Sequence, residues 1–195
     1  MANTNPTKVV TGTVRLSYCN LVEPRAGFEG NDPKFSVVLL IPKDDEATVS
    51  AIKRAQKAAL ENGKNTTFKG SIPKNWKDTF RDGDEEMDTE EQPEYARHYF
   101  MNVGAQESRP PVLVDRRRNK LSKDEAALEF YSGMYARVSI NAFPFNVQGS
   151  KGVSFGINAA QKVRDGEPLG GGKVNVDDEF DDLGDEEMTE DDLLG

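Results

Sequence analysis

Tyr135, Arg137, Phe143 and Phe145 fall on alternate positions of one stretch, and their side chains combine flat rings with a permanent cation. Such a set can hold a single nucleic-acid strand without reading its sequence. Any base can stack on a ring, worth about 1–3 kcal/mol per base, while arginine adds cation–π and phosphate contacts. The plainer alternative is that Phe143 and Phe145 pack beneath a loop or an extra sheet. Pro144 between them marks an edge or a bulge, where a strand end can stay exposed. Arg116-Arg117-Arg118 with Lys120 is the densest basic run. Beside a groove it would neutralise phosphates, and away from one it would be a solvated turn. Lys151, expected in the turn after the aromatic strand, could reach the same backbone, and Tyr99 and Tyr131 are further platform candidates. Trp76 reads as partly buried, because indole area is usually used for packing.

Charge is distributed unevenly. The chain has 195 residues and a net charge of −9, yet eleven of its 34 acids lie in 177–195, where no base occurs. Residues 1–176 then hold 23 acids against 25 Lys and Arg, a slightly basic body with an acidic end. A run so acidic and so poor in apolar residues cannot bury enough surface to fold and is expected to be disordered. It can compete with nucleic acid for a basic groove. Phe180, Leu183, Met188, Leu193 and Leu194 punctuate it and could recruit partners.

Catalytic readings are weak. His98 is the single histidine and has no nucleophile elbow beside it. Asp82, Asp84, Glu85 and Glu86 could hold a divalent metal, but Asp-Gly-Asp is also an ordinary turn. No phosphate loop is present, and one cysteine with one histidine does not make a zinc site. No enzymatic activity, cofactor or metal is expected. Cys19 reads as a small buried hydrophobe, and a single cysteine fits a reducing cytoplasm. No apolar run approaches the roughly 18–20 residues that would cross a bilayer.

The elements that must position these residues are mostly strands. Val10 to Tyr18 alternates and suggests a first strand, and Lys34 to Ile41 reads as a strand buried on both faces. A helix follows, capped by Asp44 or Asp45, with Val49, Ile52, Ala55, Ala59 and Leu60 on one stripe and Gly63 as its stop. Residues 64–97 read as a partly mobile excursion. Tyr99 to Val103 and Val112 to Val114 are expected strands, and Ser122 with Glu125 opens a short helix with a capping box. The stretch 134–146 forms a long strand with Met134, Ala136, Val138, Ile140 and Ala142 on the face opposite the rings, and 153–159 is its hairpin partner. The expected fold is mainly β, an oligonucleotide-binding (OB) β-barrel with two helices, over 1–172. A disordered acidic C-terminal tail over 173–195 completes it. A ferredoxin-like sandwich is the competing architecture.

Several of these stretches are family-like. Arg15 to Tyr18, Lys34 to Lys43, Arg81 to Asp84, Tyr131 to Asn141, and Lys162 to Gly171 together resemble a family of phage-encoded single-stranded DNA-binding proteins with an OB fold. The resemblance spans 8–172, with the acidic tail beyond. It implies a non-enzymatic role in phage DNA replication or recombination, in the cytoplasm of the infected bacterial host. Single-stranded DNA would be the ligand, and the tail would act toward replication or recombination proteins. It leaves homodimer formation and duplex DNA binding open. The competing functions are a phage accessory protein that does not bind DNA and a metal-dependent nuclease.

Overall fold

The computed structural model describes residues 5–27 and 30–170. Its strands are β1 (Lys8–Val10), β2 (Val14–Arg25), β3 (Lys34–Pro42), β4 (Lys77–Asp78), β5 (Arg81–Asp82), β6 (His98–Gln106), β7 (Val112–Val114), β8 (Tyr135–Val147) and β9 (Ser150–Arg164). Its helices are α1 (Glu46–Gly63), α2 (Gly83–Glu86) and α3 (Lys123–Glu129), with a 3-10 turn at Pro93–Tyr95. The described residues therefore carry three α-helices where two were expected. The additional one, α2, is a single turn that follows Arg81-Asp82, a place that reads from sequence as a turn. The acidic tail lies outside the described residues.

β8 and β9 form the backbone of the sheet. Ala136, Val138, Ile140 and Ala142 point into the core from β8, and Val153, Phe155 and Ile157 from β9. The turn between the strands is only Gln148-Gly149, both at positive φ (50° and 83°). That is the twist a two-residue hairpin needs. Lys151 therefore sits in β9 opposite Asn146, not in the turn where the sequence placed it.

β3 is apolar throughout because both its faces are used. Val37, Leu39 and Ile41 join the main core, while Leu40 packs with Tyr95 and Phe100 on the outside. Pairing runs β2–β3, β3–β6, β6–β9, β9–β8 and back from β8 to β2. Two joins are narrow: β6 meets β9 only at Gly104↔Gly156, and β8 meets β2 only at Val14↔Ala136 and Arg15↔Tyr135. The result is a strongly curved, mainly β sheet wrapped around one core, not a clearly closed barrel.

The expected first strand is two strands, broken at Thr11-Gly12-Thr13. The reason is the docking of α1. Asp45 caps α1 by accepting from the Thr48 amide (3.1 Å), and the Thr48 hydroxyl in turn accepts from the Gly12 amide (2.8 Å). A Cβ on Gly12 would come within 2.4 Å of the Asp45 carboxylate, so only glycine lets the helix start approach so closely. Ile52, Ala55, Ala59 and Leu60 then bury the expected stripe of α1. α3 also forms as expected, with the Ser122–Glu125 capping box and Phe130 as its last cap. Residues 64–97 are more organised than the sequence suggests, holding β4, β5, α2 and the 3-10 turn. Tyr95 at the end of that turn is buried against Phe100.

Candidate nucleic-acid interface

An open groove of about 1380 Å³ crosses the outer face of β3, β6 and β9. Alternation builds its floor. The core takes Val37, Met101, Val103, Phe155 and Ile157, which leaves Ser36, Val38, Phe100, Asn102, Ser154 and Asn158 to line the outside. Gly104 and Gly156 face each other at the centre of that floor, so the backbone there is bare. Phe143 stands beside them on β8, 45% exposed, its ring edge 3.8 Å from where a Cβ of Gly156 would lie.

The rim is cationic. Lys34, Lys77, Arg81 and Arg109 line the groove, against Asp78 as its single acid. Asp78 is turned to local structure, accepting from Gln56 Nε2 (2.6 Å) and from the Phe80 amide (2.8 Å). Arg81 pairs with Glu86 and lies over the Phe100 ring, 4.8 Å from its centroid. Lys34, Lys77 and Arg109 form no ion pair with a described residue. Their charge is available to phosphates.

The rest of the sequence-derived set is spread around this groove. Tyr135, Arg137, Phe143 and Phe145 share the outer face of β8 as the alternation requires, but only Phe143 lines the groove. Phe145 is half-buried toward the hairpin end, next to Asn146, whose amide reaches the Thr67 carbonyl (3.2 Å). Tyr135 is covered: the Arg164 guanidinium lies 3.8 Å from its ring centroid and Arg15 lies 5.6 Å away. Tyr131 is an anchor. Its hydroxyl donates to Asp165 (3.0 Å) and accepts from the Gly166 amide (3.1 Å). Tyr99 packs on Phe80 (4.6 Å) with Lys43 and Lys53 over its ring. Trp76 is half-buried against the core, as expected.

Arg116, Arg117 and Arg118 are fully on the surface, in a turn that Asp115 ties together through the amides of Arg117 and Asn119. Gln161, opposite Arg137 on β9, donates to the Arg116 carbonyl (3.1 Å). The arginine turn and Arg137 thus adjoin on one exposed surface, three residues along β9 from Asn158 at the groove's edge.

Of the acids offered for a metal, Asp82 and Asp84 are held by Lys43, and Glu86 pairs with Arg81. Lys43 Nζ lies 2.6 Å from Asp82 and 2.7 Å from Asp84, and holds both carboxyls below the usual carboxylate range. Cys19 is half-buried, and burial pushes its thiol up to about 11. Phe180, Leu183, Leu193 and Leu194 lie outside the described residues.

Sequence reasoning missed the cationic rim and the bare floor. Lys34 shares its face with Ser36 and Val38 by simple alternation, and that signal was available. The signal for Gly104 and Gly156 is glycine inside a strand, which often marks a close backbone approach. Lys77 sits in the two-residue strand β4 and Arg109 in a bend, both too short to show a period, so nothing in their neighbours points to the groove.

Comparison with known proteins identifies the family. A family model described as the ssDNA-binding protein of Enterobacter phage Enc34 matches residues 7–194. Protein p50 of Acyrthosiphon pisum secondary endosymbiont phage 1 is 30% identical over 181 residues, 90% of this chain and 94% of p50. The single-stranded DNA-binding protein of bacteriophage Enc34, solved in complex with ssDNA, is 26% identical with a TM-score of 0.69, covering 85% of this chain and 91% of that one. Bacteriophage T7 gp2.5, also a single-stranded DNA-binding protein, shares the fold at 15% identity with a TM-score of 0.61, over 91% of this chain and 96% of its own. On the match across nearly its whole length, this chain belongs to the family of phage single-stranded DNA-binding proteins represented by that of Enterobacter phage Enc34.

Proposed function

We propose that this chain binds single-stranded DNA without sequence preference during phage DNA replication or recombination, in the cytoplasm of the infected host. The carrying observation is the groove on β3 and β6, floored by bare backbone, flanked by the Phe143 ring and rimmed by Lys34, Lys77, Arg81 and Arg109. In cyclic order β2, β3, β6, β9 and β8 correspond to the five strands of a partly open OB barrel, with β6–β9 as the one parallel pair. The second and third strands of that fold carry oligonucleotides, and here they are β3 and β6.

A base stacks on Phe143, and the rim cations neutralise phosphates. Arg137 and Arg116 to Arg118 extend the cationic path beyond Asn158, and Lys151 adds a charge along β9. Tyr99, Tyr131 and Tyr135 support the path through packing more than as open platforms. The protein works as a binder, without chemistry of its own. The acidic tail competes for the groove and recruits replication or recombination proteins through Phe180, Leu183, Leu193 and Leu194. Its starting point supports the competition: Leu169 packs on the cluster of Leu40, Tyr95 and Phe100, so the chain leaves the folded body beside the groove.

The test is titration of fluorescent oligo-dT with the full chain and with a variant lacking 173–195, at two salt concentrations. Removing the tail should tighten binding and steepen its salt dependence, because fewer internal charges then compete. Equal affinity at both salts would refute competition, and no binding by either protein would refute the function.

A further inference from the structure

We propose that Tyr18 forms a second base-stacking subsite, on β2 just beyond the β3 edge of the groove, on the side away from Phe143. The inference rests on the DNA-binding reading and extends it to a residue outside the aromatic strand. Among the described aromatic side chains only two are exposed, Tyr18 at 58% and Phe143 at 45%. Every other described ring is buried or half-buried.

Tyr18 is also held in a backbone conformation that tyrosine rarely adopts. Its φ is +46°, in the left-handed region. The register shows why. Ser17 pairs with Val38 and Asn20 pairs with Ser36, so Tyr18 and Cys19 together oppose Val37 alone, a bulge that re-aims one side chain. The bulge is pinned on both sides: the Cys19 amide donates to Ser132 Oγ (2.9 Å) and the Asn20 side chain donates to the Tyr18 carbonyl (3.1 Å). Folding alone would favour glycine or asparagine here, and would not leave a large ring in water. Strain kept in place by its surroundings, with an exposed ring as its product, points to a ligand.

The position suits a base. Ser36 and Val38, across from the bulge, line the groove, and so does Tyr95. The Tyr18 hydroxyl makes no hydrogen bond with a described residue. From β2 to β8, which carries Phe143, the sheet takes four strand steps through β3, β6 and β9, about 19 Å at the usual spacing. That span matches roughly five to six nucleotides at the stacked rise of a single strand. One strand could therefore stack at Phe143 and Tyr18 while its phosphates follow the lysines and arginines between.

The experiment is titration of oligo-dT of two and of eight nucleotides with the full-length wild type, Tyr18→Phe, Tyr18→Gly, Tyr18→Asn and Phe143→Ala, alongside thermal melts. Tyr18→Phe should bind like the wild type. Tyr18→Gly and Tyr18→Asn should melt at or above the wild-type temperature, since the strain is relieved, yet bind the eight-mer about 5- to 140-fold more weakly, the equivalent of one stacked base. Binding of the two-mer should not change. If Tyr18→Gly and Tyr18→Asn bind the eight-mer at wild-type strength while Phe143→Ala does not, the second subsite is wrong and the groove stands. If neither position affects binding, the groove assignment fails as well.

Discussion

Gly104 and Gly156 are paired across the parallel junction of β6 and β9, and their backbones form the floor next to the Phe143 ring. A Cβ on Gly156 would lie 3.5 Å from the Gly104 carbonyl and 3.8 Å from Phe143, which is ordinary contact. Gly156→Ala should therefore melt within a few degrees of the wild type. Gly156→Leu would place a branched side chain where a base must lie beside Phe143. It should cut oligo-dT affinity at least tenfold, the equivalent of about 1.4 kcal/mol, with a far smaller effect on thermal stability. A Gly156→Leu protein that binds as well as wild type would show that DNA does not cross this floor.

The two phenylalanines of β8 should behave differently although they share a face. Phe143 stands half in water at the groove, whereas Phe145 is partly covered and lies beyond it. Phe143→Ala should weaken oligo-dT binding by about 1–3 kcal/mol, the value of one stacked base, and leave stability nearly unchanged. Phe145→Ala should do the reverse, lowering the melting temperature with a small change in affinity. Fluorescence titration and melting of both variants decide it.

That contrast shows what the sequence can and cannot carry. Alternation in β8 correctly separates Ala136, Val138, Ile140 and Ala142 from the outward set, and caps locate α1 and α3. Period two assigns a face, though, and says nothing of what stands on that face. Arg164 arrives from the far end of the hairpin to cover Tyr135, and Asp165 and Gly166 arrive to hold the Tyr131 hydroxyl. These are contacts over about 30 residues of separation, invisible to a local pattern. The arginine run drew attention by density, while Lys34, Lys77 and Arg109 are separated in sequence and meet only through the curvature of the sheet.

The segment after β9 is fastened to the start of the body at a few atoms. Arg15 Nη2 donates to the Glu167 carbonyl (2.7 Å) and its Nε to the Gly133 carbonyl (3.1 Å). Gly133 has φ +111°, and a Cβ there would lie 2.0 Å from the Glu167 carbonyl oxygen. A Cβ on Gly166 would lie 2.1 Å from the Gly133 carbonyl oxygen. Gly133→Ala should destabilise by about 1–3 kcal/mol through backbone strain alone. Gly166→Ala should displace the same segment, so the double variant should cost clearly less than the two single losses together. Additive losses in denaturant melts would mean that the two glycines act on separate contacts.

Lys43 should control part of the acid sensitivity of the fold. Its ammonium is the chief cause holding the Asp82 and Asp84 carboxyls below the usual range, with the Arg97 amide helping at Asp84. A carboxyl whose folded value is depressed contributes stability above its unfolded value, near 3.9, and that contribution disappears as pH falls through the folded value. The wild type should accordingly lose stability below about pH 4. Lys43→Met keeps much of the stem against Tyr99 but leaves two carboxylates facing each other without a cation. The variant should melt below the wild type at pH 7, and the gap should close as pH drops toward 3 and both acids become neutral. Melting temperatures of the two proteins at pH 3, 5 and 7 test this directly. A gap of constant size across that range would assign the loss to packing at Lys43 and not to its charge.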